Sequence, residues 1–285
     1  MTAVKIKIGI VAPASRIEPA LADGVSEIAR KFYGDRVELY FHPQCHLSCG
    51  HFAGDDAARA AAFLEVANDP DIAAVWIARG GYGAARILDR VLPELTERAR
   101  DKAYVGYSDA GFLLGALYAN GFSQVAHGPM PADLARDGGE AAIARALSWI
   151  VGRAPQALEP SVLPATKSAA FNMTILSHLL GTPYAPDLAG HVLMLEEVSE
   201  HMYRIDRTLF HITGNSRIRD VAGIRLGRCS AIPPNDPPFC QTEEQVAEHW
   251  CAQAGIAYLG RADIGHDSEN RVVPFGRLGT APPGH

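Results

Sequence analysis

The 285-residue chain has no apolar run long enough to span a bilayer, which excludes an integral helical membrane protein. Its opening, MTAVKIKIGIVAPAS, does not read as a secretory leader. It alternates like a strand, and Lys5 and Lys7 break its apolar stretch. Cysteine is scarce and odd in number: Cys45, Cys49, Cys229, Cys240 and Cys251 offer no disulfide framework. The expectation is a cytoplasmic protein. Basic stripes are also missing and the formal net charge is −6, so nucleic acid is not an expected partner. There is no internal repeat and no low-complexity segment. At 48% hydrophobic and 20% charged, the composition excludes disorder. Arg79-Gly80-Gly81-Tyr82-Gly83 is Gly-rich but lacks the lysine and Ser/Thr of a P-loop, which argues against nucleoside triphosphate binding.

What is present is an alternation of strands and helices. Strands are expected at 4–11, 36–41, 72–77, 103–106 and the stretch ending near 125–130. Helices are expected at 17–33, 55–68 (capped by Asp55), 84–92 and after 110. This spacing predicts an α/β fold, an open parallel sheet with helices on both faces. Ligands bind such sheets beyond the carboxyl ends of the strands. The loops there read Ala-Pro-Ala-Ser (12–15), Arg-Gly-Gly-Tyr-Gly, Gly-Tyr-Ser-Asp (106–109) and His-Gly-Pro-Met (127–130). We expect a first domain over 1–135, a linker region over 136–166 that carries a helix at 140–151, and a second domain over 167–285. The second domain reads as helices at 172–180, 205–213 and 242–254, the last opening on a capping box, Thr242-x-x-Gln245. Its strands are expected at 191–195, 223–226, 257–259 and 272–274, with a frayed tail at 279–285.

Chemistry concentrates at Ser108. A strand, an abrupt turn and a helix place its hydroxyl as in a nucleophile elbow, with the small residues Gly106 and Ala110 two positions either side. A serine that merely caps a helix would look similar. A nucleophilic serine needs a base, and the base needs an orienting group. His266, in a Gly-containing loop, is the better base candidate; His127 reads more readily as a structural histidine in its turn. Glu196 or Glu197, ending an apolar strand, could orient it, and strand alternation lets only one of them face the site. The backbones of Gly81 and Asp109 could supply an oxyanion hole. His42, Cys45, His46, Cys49 and His51 are of zinc-binding type but lie in one short loop without a second ligand pair. No metal is expected there, and the loop reads as a rim of the site.

These strings together resemble the LD-carboxypeptidases, the murein tetrapeptide carboxypeptidases and their relatives the microcin C immunity peptidases. The resemblance rests on Arg-Gly-Gly-Tyr-Gly-Ala-Ala-Arg-Ile-Leu (79–88), Gly-Tyr-Ser-Asp-Ala (106–110), His-Gly-Pro-Met and Phe-Ala-Gly-Asp (52–55) with Arg59. It continues in Leu-Gly-Thr-Pro-Tyr (180–184), Leu-Glu-Glu-Val (195–198), Tyr-Arg-Ile-Asp-Arg (203–207) and Gly265-His266. It implies a flavodoxin-like N-terminal domain with a smaller β-rich C-terminal domain and the site between them. It implies a Ser108–His266–Glu196 triad with Gly81 and Asp109 as the oxyanion hole. It also implies no metal, no cofactor and a homodimer. The implied reaction is serine-type cleavage of the L,D-bond between meso-diaminopimelate and the terminal D-alanine of a murein tetrapeptide, in peptidoglycan recycling. Arg79 and Asn172 are the candidate substrate contacts.

The chain departs from the family's pattern in three places: Ala170-Phe171-Asn172-Met173 for a usual Gly-Gly-Asn-Leu, Glu197 for a more usual aspartate, and Ala110-Gly111-Phe112 at the helix start. An immunity peptidase hydrolysing aminoacyl-nucleotide analogues is the alternative. It would need an aromatic platform, for which Phe239 and Trp250 are candidates, although both read more readily as core. A non-catalytic binder of periplasmic-binder architecture is a third reading, which the missing leader and the complete set of triad residues oppose.

Overall fold

The computed structural model describes residues 5–278. The expected tail at 279–285, and Val4 at the start of the first strand, lie outside the described residues. The first sheet is formed by β1 (Ile6–Val11), β2 (Val37–Phe41), β3 (Ala74–Ile77), β4 (Ala103–Gly106) and β5 (Val125–His127), with all four of their pairings parallel. The strand order 2-1-3-4-5 is that of the flavodoxin-like fold. The connecting helices are α1 (Pro19–Tyr33), α2 (Asp56–Asn68), the short α3 (Leu88–Val91) and α4 (Glu97–Arg100), then α5 (Gly111–Ala119) and α6 (Gly139–Gly152).

The local reasons are legible. Helix α1 buries Ala22, Val25, Ile28 and Ala29, which recur at helical spacing. Asp55 caps α2 by accepting from the N–H of Ala58 at 2.7 Å. The helix expected at 84–92 is instead a 3₁₀ turn, Ala84–Ile87, followed by α3 and a second turn, Leu92–Glu94. Pro93 has no N–H to continue a helical ladder.

A second sheet follows, with β6 (Lys167–Asn172), β7 (His191–Val198), β8 (Gly223–Ser230) and β9 (Tyr258–Arg261) parallel in that order. Helices α7 (Met173–Leu179), α8 (Met202–Gly214) and α9 (Glu243–Ala254) join them. Thr242 and Gln245 form the expected capping box on α9.

Two features differ from expectation, and one adds to it. Strand β6 was not foreseen, because Lys-Ser-Ala-Ala-Phe-Asn has little intrinsic strand preference and is held by pairing with β7. The helix expected within 136–166 packs against the first sheet. Its face of Ile143, Ala146, Leu147 and Ile150 is buried with Val25 and Ile28 of α1. The last strand, β10 (Val273–Pro274), returns to the first sheet and pairs antiparallel with β5, Val273 opposite His127.

The two sheets share a core. Phe171, Leu176 and Leu179 from the second unit are buried in one cluster with Leu113, Leu117 and Phe275. Each such side chain contributes roughly 1.5–3 kcal/mol on burial, so the relative placement of the two units is set by packing. Among the described residues no helix is long and apolar enough to cross a membrane.

Candidate active site

Strand β4 ends at Gly106, and Ser108 opens a 3₁₀ turn that leads into α5. Ser108 sits at φ 59°, a left-handed conformation that costs a non-glycine residue of order 1 kcal/mol. That turn lifts its hydroxyl off the sheet edge and leaves it partly exposed. The space beside it exists because residue 80 is glycine: a Cβ there would lie 2.8 Å from Ser108 Oγ. Gly81 adopts φ +107°, and a Cβ there would lie 2.2 Å from Ser15 Oγ. Among the described residues, no protein acceptor takes the N–H of Gly81 or of Asp109.

His266 reaches the serine from the second unit, with Nε2 at 3.0 Å from Ser108 Oγ. Its Nδ1 lies 2.5 Å from Glu196 Oε2. Glu196 has no exposed surface and His266 is buried at 9% exposure. A carboxylate can only accept here, so Nδ1 carries the proton and Nε2 offers its lone pair to the Ser108 O–H. Burial by itself would lower the His266 pKa. The charge of Glu196 and its hydrogen bond more than offset this and raise it. The ring also lies 4.9 Å from that of Tyr107.

The loop that carries His266 is held from several sides. Arg228 on β8 pairs with Asp267 at 2.5 Å and with Asp263 at 2.6 Å. Arg145 on α6 donates to the carbonyls of Ser268 and Asn270. Asn270 Oδ1 accepts from the Gly265 N–H and lies 3.0 Å from His127 Nε2. His127 is thus buried against Asn270, and burial lowers its pKa. It braces the loop rather than facing the serine.

The two glutamates separate as strand alternation requires. Strand β7 runs through both of them to Val198, further than expected. A register shift opposite Glu196 sets two residues of β8, Gly227 and Arg228, against one of β7. A Cβ at Gly227 would lie 3.0 Å from Glu196 Cβ, so the glycine admits the carboxylate's backbone close to β8. Glu196 faces His266. Glu197 faces the other way and accepts from Asn172 Nδ2 (2.6 Å), from the Thr174 N–H (3.0 Å) and hydroxyl (2.8 Å), and from the Val198 N–H (3.0 Å).

That arrangement removes Asn172 from the cleft, contrary to expectation. Its Oδ1 caps α7 by accepting from Ile175, and its Nδ2 is spent on Glu197. Arg79 does line the cleft. It is exposed and makes one long contact, Nη1 to the Arg16 carbonyl at 3.3 Å. The histidine and cysteine loop serves packing: Cys45 Sγ donates to the Ile10 carbonyl, and His42 bonds Gln44 and Glu65.

Sequence reasoning did not reach the side-chain roles of a second tier of residues. Asp109 is buried and its Oδ2 accepts the Ala84 N–H at 2.8 Å, which ties the Gly-rich loop to the serine turn. Burial pushes its carboxyl up to about 6, against the lowering influence of the Ala84 and Gly83 amides and of Arg59. Arg59 is fully buried and donates to the carbonyls of Pro13 and Gly83 and to Asp56. The signal was an arginine on an otherwise alanine-rich helix. Tyr107, Met130, Asp133 and Arg136 join Arg79, Ser108 and His266 around a cleft of about 380 Å³. A second, more apolar hollow of about 530 Å³, lined by Tyr82, Phe112, Ile175 and Tyr184, borders Gly81 and Asp109.

A serine on a strained turn at the carboxyl edge of a parallel sheet, hydrogen-bonded to a histidine that is bonded in turn to a buried carboxylate, is the arrangement of a serine-type hydrolase. Comparison with known proteins narrows the class. Residues 8–128 match the LD-carboxypeptidase N-terminal domain and residues 168–280 match the LD-carboxypeptidase C-terminal domain, so the chain belongs to the LD-carboxypeptidase family. It is 31% identical over 246 residues to a protein named as a carboxypeptidase in Synechocystis, covering 84% of this chain and 79% of that one. It is 25% identical over 291 residues to the murein tetrapeptide carboxypeptidase of Pseudomonas aeruginosa, covering 95% and 91%. In fold it is similar to the muramoyltetrapeptide carboxypeptidase of Oxalobacter formigenes, with a TM-score of 0.78, 23% identity and coverage of 94% and 93%. It is similar too to the microcin C7 self-immunity protein MccF, with a TM-score of 0.79, 16% identity and coverage of 96% and 92%.

Proposed function

We propose that the protein is an LD-carboxypeptidase that removes the terminal D-alanine from murein tetrapeptides by cleaving its bond to meso-diaminopimelate. The observation that carries this reading is the hydrogen-bonded run Glu196–His266–Ser108 at the edge of the cleft. Ser108 Oγ attacks the scissile carbonyl as its proton passes to His266 Nε2. The N–H groups of Gly81 and Asp109 receive the oxyanion, each such donor being worth about 2.7–4 kcal/mol in a comparable site. Glu196 holds the tautomer and stabilises the imidazolium, which then protonates the leaving amine. Water, activated by the same histidine, releases the acyl group. By this reading the enzyme works in the cytosol as a homodimer, in peptidoglycan recycling.

Hydrolysis of an aminoacyl-nucleotide analogue is the competing reading. The aromatic candidates for stacking a base are occupied elsewhere. Trp250 donates to Asp206 at 2.9 Å and packs on Phe210, and Phe239 packs against the core. Incubation with UDP-MurNAc-tetrapeptide tests both. D-Alanine is released by the wild type and not by Ser108→Ala. Absence of release, with turnover of aspartyl sulfamoyl adenosine instead, refutes the murein reading.

A further inference from the structure

A carboxypeptidase must recognise a free α-carboxylate one residue beyond the bond it cuts, and no residue has yet been given that task. The cleft beside Ser108 offers two cations, Arg79 and Arg136. They differ in how they are held. Both are exposed, but Arg79 rests on a single 3.3 Å contact. Arg136 donates from Nε to Asp133 Oδ1 at 2.9 Å. Asp133 is itself buried, at 3% exposure, and also accepts the Tyr107 hydroxyl at 2.7 Å and the Met130 N–H at 2.8 Å. Tyr107 is the residue immediately before Ser108, so the guanidinium is braced from the nucleophile's own turn. Among the described residues, neither Nη of Arg136 donates to a protein acceptor. A guanidinium whose Nε is fixed and whose outer N–H groups are unspent presents a preorganised fork to a carboxylate.

We propose that Arg136, oriented by the Tyr107–Asp133 pair, binds the C-terminal carboxylate of the leaving residue and so makes the enzyme an exopeptidase. This rests on the murein-peptide reading above. It places the leaving D-alanine in the cleft between Ser108 and Arg136, with Arg79 at the solvent edge. A site built around such a pairing rejects a neutral analogue, because the carboxylate's partner is then left without its charge.

The test compares the murein tetrapeptide with its C-terminal amide, for the wild type, Arg136→Gln, Arg136→Lys and Arg79→Gln. The wild type should prefer the acid by about 100-fold in kcat/KM, the scale of a lost charge-assisted contact. Arg136→Gln should collapse that ratio toward one, mainly through KM on the acid, and Arg136→Lys should recover part of it. Asp133→Asn, which keeps the arginine but loosens its support, should give an intermediate ratio at unchanged length and shape. Equal losses on acid and amide in Arg136→Gln overturn the assignment, as does a ratio that collapses only in Arg79→Gln. A wild type that releases no D-alanine at all refutes the murein reading, and the carboxylate assignment falls with it. Melting curves of each variant separate loss of recognition from loss of fold.

Discussion

Glu196 and Glu197 are adjacent, both buried and both carboxylates, yet the geometry assigns them different work. Replacing Glu196 by glutamine keeps the volume and removes the charge. The amide can turn its N–H₂ toward His266 Nδ1, which then becomes an acceptor and forces the proton onto Nε2, 3.0 Å from Ser108 Oγ. The base is lost while the positions persist. The equivalent carboxylate-to-amide change in a serine protease triad costs about 10⁴-fold in kcat, or about 5.4 kcal/mol of barrier. A second readout follows from electrostatics. Burial lowers the His266 pKa, and Glu196 raises it to a net value above the ordinary one. Activity needs the neutral imidazole, so the wild type loses rate on the acid side, as pH falls through this raised pKa. Without the Glu196 charge burial dominates, and the acid limb of the residual activity should move to lower pH. Glu197→Gln leaves the contact to Nδ1 in place and removes only the weaker through-space influence of Glu197 on the His266 pKa, so its acid limb should shift less than that of Glu196→Gln. It should lower stability through the contacts to Asn172 and Thr174, while kcat per folded molecule stays within a few-fold. A pH–rate profile of D-alanine release for the three proteins decides. The reasoning fails if Glu197→Gln is the inactive variant, or if the acid limb of Glu196→Gln stays where it was.

Two further predictions concern the Gly-rich loop. Gly81→Ala must move either Ser15 or the loop, since the new Cβ would overlap Ser15 Oγ at a backbone φ that alanine resists. Displacement of the Gly81 N–H should cost about 10²-fold in kcat with a loss of roughly 1–2 kcal/mol in stability; an active, stable variant refutes its place in the oxyanion hole. Asp109 carries a carboxyl pushed from 3.8 up to about 6 by burial. Its folded pKa is raised, so the folded state holds the proton more tightly than the unfolded state, and this group subtracts stability as pH rises between those values. Asp109→Asn keeps an acceptor for the Ala84 N–H without the buried charge. It should therefore gain on the order of 1–3 kcal/mol over wild type at pH 8, with the gap closing below pH 4. Thermal melts across that range check it, and a variant less stable than wild type at pH 8 refutes it.

The parallel α/β frame was legible because strand and helix periods differ and each loop with chemistry ended a strand. Ser108 was readable from the strand–turn–helix pattern, and Asp55 and Thr242 from their capping positions. Strand β6 was not, because Lys167–Asn172 has weak local preference and is held by its partner β7. Asn172 misled for a related reason: an asparagine beside a site is indistinguishable in sequence from one that caps a helix, and here it caps α7. Arg136 and Asp133 escaped notice because nothing local marks a buried acid that aims an arginine.

By itself, then, the amino-acid order determined the elements, their alternation and the chemical types at the sheet's carboxyl edge, since these depend on near neighbours and periodicity. Tertiary structure decided which of two histidines meets the serine and which of two glutamates meets that histidine. Ser108 and His266 lie 158 positions apart. Only the shared core between the sheets, the irregularity opposite Glu196 and the Arg228 and Arg145 clamps bring them within a hydrogen bond. Alignment at that scale is a property of packed surfaces, and no window of sequence contains it.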